Sequence, residues 1–189
     1  MPSTRRQLLR RAVSTGALCG LAGCTGRLPT SDETGSNDST DGTDTPERLS
    51  LPAVLTPERD DSPERVQLRS EGTVTLLNFF TTWCKPCREE MPAFRKLRAE
   101  YDRSTVHMVS ITPEVDEELI TEFWDRYDAT WPVVKDPALR ATERWDANAY
   151  PTNLLFDQNG DPASDSSPEV NVRSFDGFQS RIDPLLEGT

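Results

Sequence analysis

Two cysteines, Cys84 and Cys87, enclose a lysine and a proline near the middle of the chain. A run of apolar and β-branched residues before them predicts a buried strand, and a helix is predicted directly after them. The cysteines would then lie at a helix N-terminus, where unpaired backbone N–H groups and the helix dipole stabilise a thiolate. Because the thiolate is the attacking species in disulfide exchange, the pattern predicts thiol-disulfide chemistry here.

The two residues between the cysteines fit the same chemistry. Pro86 lacks a backbone N–H that would be unpaired in the first helical turn, and Lys85 adds a nearby positive charge. We predict that Cys84, at the exposed end of the turn, attacks a substrate disulfide and forms a mixed disulfide. Cys87, deeper in the turn, then attacks Cys84 and releases the reduced substrate. The same steps run backwards oxidise a dithiol.

The cysteines need a scaffold that joins a strand to a helix, and the hydrophobic pattern provides one. Strands are predicted at residues 49–51, 66–68, 73–80, 106–111, 131–134 and 151–156, and helices at 85–101, 114–128, 137–145 and 175–186. The first two strands are expected at sheet edges, and the last helix is expected to be interrupted or bent near Pro184. The alternation favours an α/β fold with a central, partly parallel sheet and helices on both faces.

The first 23 residues are typical of an export signal. Arg5-Arg6 resembles a twin-arginine motif, and the weakly apolar run at 12–20 is shorter than the roughly 20 residues that span a membrane. Small residues then precede Cys24 in a tetrad that resembles a lipoprotein processing box. We therefore predict a signal peptide at residues 1–23 and a lipid anchor on Cys24, which would hold the protein at the outer face of the cell membrane.

Residues 24–48 are predicted to be a linker. They are rich in Ser, Thr, Asp and Gly and contain almost no apolar side chains. Such a segment cannot bury enough surface to offset the entropy lost on ordering, so we expect a flexible, self-repelling spacer. The folded domain is assigned to residues 49–189.

The charge of the chain excludes one class of partner. The formal net charge is −11, and lysine occurs only at positions 85, 96 and 135. A nucleic-acid partner is not expected, because phosphate binding needs a basic surface. Strong acidity with scarce lysine resembles proteins of halophilic archaea, in which high salt screens the repulsion between surface carboxylates.

The segment 78–92, which contains the cysteine pair, resembles the TlpA/ResA-like branch of thioredoxin-fold proteins. The resemblance continues through 132–136 and 150–160 and covers residues 50–187. It implies a thioredoxin-like fold with a mixed sheet and the activity of an extracytoplasmic thiol-disulfide oxidoreductase, a class often linked to cytochrome c maturation. It also implies a monomer whose only cofactor is its redox-active disulfide. The implied partners are protein thiols or disulfides and a membrane electron donor.

Five further positions take candidate roles from this resemblance. Pro151 aligns with a cis-proline that faces the cysteines, and with Tyr150 and Trp83 it is expected to contact substrate. Glu90 aligns with an acidic residue that tunes the thiols or shuttles a proton, and Asn78 stands where cytosolic thioredoxin has a buried aspartate. The alternatives are a trans proline that opens an edge strand and an exposed glutamate favoured by the helix dipole.

The chain also departs from the family pattern. Ala149 stands where a glycine is common near the cis-proline, and residues 161–172 are polar and interrupted by proline where a hairpin is usual. Because of these departures, the resemblance does not predict the structure of the substrate-facing edge or of the last strands.

Other uses of the cysteine pair remain as alternatives. A copper-binding chaperone is the second candidate, since soft thiolates select Cu(I), but the related Sco branch uses a wider CxxxC and a distal histidine. Structural zinc needs four ligands, and the processed chain would add only Cys24 and His107, which we interpret as a packed core residue. No metal site is predicted. A purely structural disulfide would constrain little unfolded-chain entropy, because its ring is small.

Overall fold

The structure is a computed structural model that describes residues 49–56, 64–164 and 167–187 of the 189-residue chain. The predicted signal peptide, the predicted linker and Cys24 lie outside these residues. Among the helices that the structure does describe, none is both long enough and apolar enough to cross a bilayer.

The described residues form a six-stranded sheet and four helices. In chain order the elements are β1 (Ser50–Leu55), β2 (Arg65–Gln67), β3 (Val74–Phe79), α1 (Lys85–Glu100), β4 (Val106–Thr112), α2 (Glu117–Arg126), β5 (Val133–Lys135), α3 (Arg140–Arg144), β6 (Thr152–Phe156) and α4 (Phe175–Glu187). The strand order across the sheet is β2-β1-β5-β4-β3-β6. Of the two strands predicted at edges, β2 lies at an edge, whereas β1 lies between β2 and β5.

The direction of the strands brings several chain segments to one edge of the sheet. Strands β3, β4 and β5 are parallel, whereas β6 runs antiparallel to β3 with Thr152 opposite Phe79. The carboxyl ends of the parallel strands and the amino end of β6 therefore meet at the same edge. This mixed sheet confirms the predicted fold class and places Pro151 beside the end of β3.

Two hydrophobic cores lie on the two faces of the sheet. Alternate residues of β3 point to opposite faces, and every residue of this strand is buried, as its continuous apolar run predicted. Leu76 packs with side chains of α1, α2 and α4 on one face, and Leu77 packs with α3, β1 and β2 on the other. Helices thus cover both faces, but three of the four lie on the face that also carries α1.

Three helices, α2, α4 and α3, differ from the sequence prediction. Helix α2 starts at Glu117 rather than at 114, because Asp116 accepts the backbone N–H of Leu119 as its N-cap. Helix α4 continues through Pro184 without interruption, since buried Phe178 and Ile182 anchor it in the core beside α1.

Helix α3 is much shorter than predicted, beginning at Arg140 instead of 137. The preceding residue, Leu139, has a left-handed φ of 55°, which is incompatible with a helix that passes through it. The buried carboxylate of Asp136 instead accepts the first N–H groups of the helix, those of Arg140, Ala141 and Thr142.

Candidate active site

The cysteine pair lies where the most buried strand turns into a helix. After β3 the chain makes a tight turn in which the N–H of Cys84 donates to the carbonyl of Thr81 at 3.2 Å. Cys84 then caps helix α1 with extended backbone angles (φ −70°, ψ 114°), and Pro86 occupies the first turn. The apolar strand and the proline together place the cysteines at the helix N-terminus, as predicted.

Cys84 and Cys87 are joined by a disulfide. The backbone N–H of Cys87 points at Sγ of Cys84 over 3.2 Å, so a donor is in place for negative charge on that sulfur. The expectation that Cys84 forms an exposed end was wrong for this disulfide form, because Cys84 is 4% exposed and Cys87 is 2% exposed. The two sulfurs therefore differ in their position at the helix N-terminus, where Sγ of Cys84 caps the helix, and not in their exposure.

The turn before the cysteines is held by Glu114, a residue that the sequence analysis did not single out. Its carboxylate accepts the N–H of Thr82 at 2.8 Å and the hydroxyl of Thr82 at 2.7 Å. It also accepts the hydroxyl of Thr112 at the end of β4. Glu114 follows a strand parallel to β3, and parallel strands end at the same sheet edge, so this neighbourhood was available from the topology.

Glu90 is fully buried on α1, which overturns the alternative of an exposed first-turn glutamate. Burial raises its pKa from 4.5 to about 7, while a hydrogen bond from Asn153 and the charge of Arg173 oppose that rise. Asn153 donates to Oε1 at 3.1 Å, and Arg173 Nε lies 3.7 Å from the same oxygen. Oε2 has no hydrogen-bond partner among the described residues. Glu90 is three residues after Cys87, on the same face of the helix.

Asn78 lies beneath Glu90 in the sheet. It is buried on β3, directly opposite Asn153 of β6, and its Nδ2 donates to Asn153 Oδ1 at 2.9 Å. An amide thus occupies the position where the resemblance placed an aspartate in thioredoxin. Among the described residues, Asn153 links this amide to Glu90.

The Tyr150–Pro151 peptide bond is cis, which confirms the geometry implied by the resemblance. Thr152, which follows it, pairs with Phe79 of β3, so this bond lies at the sheet edge that carries the cysteine turn. Tyr150 is half-buried, and burial raises the pKa of its hydroxyl, with the charges of Asp136 and Glu114 adding to the effect.

Trp83 directly precedes Cys84 in the chain, and in contrast to the buried polar groups it is 69% exposed. It lines a groove of about 310 Å³ together with Leu119 and Phe123 of α2. Leu119 is itself 42% exposed, so the groove offers apolar surface beside the disulfide.

Among the hydrogen bonds of the described residues, none joins His107 to this site. It lies half-buried on β4, and Nε2 is 2.9 Å from the carbonyl of Gln67. Burial lowers its pKa below the ordinary value, but the side chain is half-buried, so the interpretation as a packed core residue holds only in part. In the described parts of the segment where a hairpin is usual, 161–164 and 167–172, the pairing with β6 consists of the isolated bridges Leu154–Glu169 and Phe156–Pro162.

Comparison with known proteins decides the family. A model of the Redoxin family matches residues 46–168, which is more than half of the chain. The chain belongs to the Redoxin family. In this Redoxin-family domain the matched range contains both cysteines, Glu90 and the cis-proline.

Two curated relatives of this Redoxin-family chain carry informative names. It is 41% identical over 93 residues to the thioredoxin-like protein YneN of Bacillus subtilis, covering 48% of this chain and 54% of that protein. It is 30% identical over 122 residues to the thiol-disulfide oxidoreductase ResA of Halalkalibacterium halodurans, covering 64% of this chain and 69% of that protein. The chain thus spans about half of the first relative and two thirds of the second.

Solved structures agree on the fold. A secreted disulfide oxidoreductase of Mycobacterium tuberculosis superposes with a TM-score of 0.58 at 19% identity, covering 72% of this chain and 96% of that chain. A thiol-disulfide oxidoreductase of Bacteroides fragilis superposes with a TM-score of 0.56 at 20% identity, covering 70% and 95%. The thioredoxin-like fold is therefore shown, and the described domain carries a disulfide, Cys84–Cys87, in a chain similar to a relative that is named a thiol-disulfide oxidoreductase.

Proposed function

We propose that this protein exchanges disulfides with extracytoplasmic protein substrates through Cys84 and Cys87, with Glu90 as the group that accepts and returns a proton. The observation that carries the proposal is the arrangement on helix α1. A disulfide lies at its N-terminus, and a buried carboxyl with one unpartnered oxygen lies one turn further on. The cis peptide bond before Pro151 lies at the same sheet edge.

The reductive reaction proceeds in two displacements. In the reduced protein the Cys84 thiolate attacks one sulfur of the substrate disulfide, and the other substrate sulfur leaves as a thiolate. Cys87 then gives its thiol proton to Oε2 of Glu90, and the new thiolate attacks Sγ of Cys84. The second substrate sulfur leaves as a thiolate, and Glu90 returns the proton to it. The substrate gains two electrons, and the cysteine pair becomes a disulfide.

Glu90 suits this step because of its environment. A general acid-base group works best with a pKa near the working pH, and burial brings that of Glu90 to about 7. The donor at Cys84 Sγ, the N–H of Cys87, favours the attacking thiolate.

The substrate contacts proposed here are Trp83, Tyr150 and Pro151. Trp83 and the groove that it forms with Leu119 provide exposed apolar surface beside the disulfide. Pro151 directly precedes β6 at the sheet edge that carries the cysteine turn, and a substrate backbone is proposed to align along the cis segment there.

Disulfide exchange is tested with the purified protein and insulin as the substrate. Wild type is expected to reduce insulin with dithiothreitol as the electron source, and Cys84→Ser is expected to be inactive. Cys87→Ser is expected to accumulate the mixed disulfide through Cys84, which mass spectrometry detects. Equal reduction by wild type and Cys84→Ser would refute the proposed activity, and trapping through Cys87 in a Cys84→Ser protein would reverse the order of attack.

The direction of electron flow is proposed to be reductive, by analogy with the TlpA/ResA-like proteins and their link to cytochrome c maturation. The potential of the Cys84–Cys87 couple, measured against glutathione, tests this. A value near that of thioredoxin, about −270 mV, supports a reductant, whereas a value near about −120 mV supports an oxidant.

The proposed location is the outer face of the cell membrane, with a lipid on Cys24, a spacer at 24–48 and the oxidoreductase domain beyond it. The support is the sequence pattern at residues 1–24. The wild-type protein is expected in the membrane fraction with a lipid mass on Cys24, and Cys24→Ala is expected to lose that lipid. An unmodified Cys24 in the mature protein would contradict the anchor but not the redox activity.

A further inference from the structure

A chain of four hydrogen bonds crosses the sheet and ends on Glu90. Trp131 Nε1 donates to Ser110 Oγ at 2.9 Å, and Ser110 Oγ donates to Asn78 Oδ1 at 3.2 Å. Asn78 Nδ2 donates to Asn153 Oδ1 at 2.9 Å, and Asn153 Nδ2 donates to Glu90 Oε1 at 3.1 Å. We call these four residues, Trp131, Ser110, Asn78 and Asn153, the cross-sheet chain.

The strand register builds this chain. Asn78 on the central strand β3 is the direct partner of Ser110 on β4 and of Asn153 on β6. Directly opposed residues of neighbouring strands point to the same face, so the three polar side chains form one row across the sheet. This is the face on which α1 packs, so the row runs beneath the helix that carries Glu90.

The cross-sheet chain is enclosed by protein. Its members are between 0% and 4% exposed, and Glu90 is 0% exposed. Bulk water therefore cannot replace a lost donor or acceptor, and each member depends on its neighbours for hydrogen bonds.

The donors in this row run in one direction from the Trp131 end. An indole N–H can only donate, so Ser110 accepts it, and the hydroxyl hydrogen of Ser110 is directed at Asn78 Oδ1. Asn78 then presents its NH₂ group to Asn153, and Asn153 presents its NH₂ group to Glu90. A hydroxyl hydrogen at Asn78 Oδ1 favours this orientation of both amides.

We propose that Trp131 and Ser110 are positioning residues. Through Asn78 and Asn153 they turn a hydrogen-bond donor rather than an acceptor toward Glu90, and so set the pH at which Glu90 can take the proton of Cys87. The proposal rests on the proposed function insofar as Glu90 exchanges that proton. A donor favours the carboxylate. Without Ser110 or the indole N–H, the two amides are free to rotate, and an amide oxygen facing Glu90 favours the protonated acid.

The other groups that face Glu90 are few among the described residues. Arg173, from the segment before α4, lies 3.7 Å from Oε1 and also favours the carboxylate. On α1 itself, Cys87 is one turn away. Asn153 is the hydrogen-bond donor from β6. The cross-sheet chain therefore adds a second, uncharged means of holding Glu90 ionised.

The experiment measures the ionisation of Glu90 directly in the full-length oxidised protein. Carboxyl ¹³C NMR, or the infrared carbonyl band of the protonated acid, follows Glu90 against pH, with Glu90→Gln identifying its signal. Ser110→Ala is expected to move the midpoint upward by about 0.5–1 pH unit, because the polarised row and the orientation of its amides are lost. Thr75→Val removes a buried hydroxyl from the other face of β3 and is expected to leave the midpoint in place.

Trp131→Phe is a second variant that removes the donor but leaves Ser110 in place. It is expected to raise the pH midpoint of Glu90 ionisation. Ser110→Thr keeps a hydroxyl at position 110, so the midpoint in this variant is expected to lie close to the wild-type value. A midpoint unchanged in folded Ser110→Ala and Trp131→Phe would overturn the inference. The oxidised protein is used because its disulfide does not titrate, so this result does not depend on turnover.

A second measurement connects the row to the reaction. The pH midpoint for release of substrate from the mixed disulfide, followed by stopped flow, is expected to rise in Ser110→Ala by the same amount as the midpoint of Glu90. In a Glu90→Gln background Ser110→Ala is expected to have no effect on this midpoint. Ser110→Ala can move the Glu90 midpoint while Glu90→Gln leaves the pH profile of substrate release unchanged. That result would support the effect of the cross-sheet chain on Glu90 but would contradict the proton-transfer role in the proposed function.

Discussion

Asn153 joins the strand that follows the cis peptide bond to the helix that carries both cysteines, because its Nδ2 donates to Glu90 Oε1 at 3.1 Å. Glu90 and Asn153 are 63 residues apart in the sequence, yet both are buried at this contact. Since Pro151 lies two residues before Asn153, a substrate that displaces the cis segment would also act on the donor to Glu90. Substrate binding and the proton affinity of Glu90 are thus structurally connected.

Replacing Glu90 by glutamine is expected to remove a pH-dependent loss of stability. The pKa of Glu90 is 4.5 in its ordinary state and about 7 in the fold. Between these values the folded protein binds more protons than the unfolded chain, so the free energy of unfolding falls as the pH rises. The stability present below pH 4.5 is lost through pH 7, by about 3 kcal/mol at most. Urea unfolding of the oxidised protein at pH 5 and pH 8 measures this loss.

The matched control for that experiment is Glu89→Gln, a substitution at the exposed neighbour on α1. It is expected to keep the wild-type difference between pH 5 and pH 8, whereas Glu90→Gln reduces it. Burial lowers the pKa of His107, and this group contributes equally to all three proteins. An undiminished difference in Glu90→Gln would contradict the raised pKa.

Replacing Arg173 by glutamine is expected to raise the pKa of Glu90 above its value of about 7. The cation lies 3.7 Å from Oε1 and favours the carboxylate, but its own side chain is 57% exposed. The rise should therefore be small, about 0.3–0.5 pH unit, and should shrink at high salt. Carboxyl NMR at low and high salt measures it, with Arg181→Gln as the control on α4. A rise that is independent of salt would argue against a charge effect.

Replacing Glu114 by alanine is expected to loosen the turn before the cysteines. The substitution leaves the N–H and hydroxyl of Thr82 without their acceptor, which costs about 1–3 kcal/mol. Glu114→Gln retains one oxygen and should lose less. Denaturant unfolding of the oxidised protein gives the two values, and Glu118→Ala, at an exposed position on α2, controls for removal of a carboxylate. Equal stability of Glu114→Ala and Glu118→Ala would show that the hydrogen bonds between Glu114 and Thr82 do not stabilise the turn.

Replacing Trp83 by alanine is expected to weaken substrate binding without weakening the fold. The side chain is 69% exposed, so stability should change by less than about 0.5 kcal/mol. The KM for a peptide disulfide with apolar flanking residues should rise several-fold, while the rate with the small disulfide of glutathione should change little. Leu119→Ala, in the same groove, should act in the same direction. A parallel loss on both substrates would place Trp83 in the chemistry instead of in binding.

Local sequence signals predicted the strand and the helix that position the two cysteines. The apolar run before Cys84 predicted β3, and the proline between the cysteines predicted the start of α1, because both signals act within a few residues. The cis bond at Pro151 came from the resemblance and is present in the structure. The boundaries of α3 were wrong, since the left-handed Leu139 and the cap by Asp136 depend on where β5 ends.

By itself, the sequence predicted the cysteine chemistry and the α/β fold, and its family resemblance implied candidate roles for Glu90, Tyr150 and Pro151. Only the tertiary structure decided that Glu90 is buried, that Asn153 donates to it, and that Glu114 holds the turn. The physical reason is that period and spacing report which face of an element a residue occupies, whereas burial and hydrogen-bond partners depend on strand order and register. Asn153 of β6 and Arg173 of the segment before α4 meet Glu90 of α1, and no local pattern contains that information.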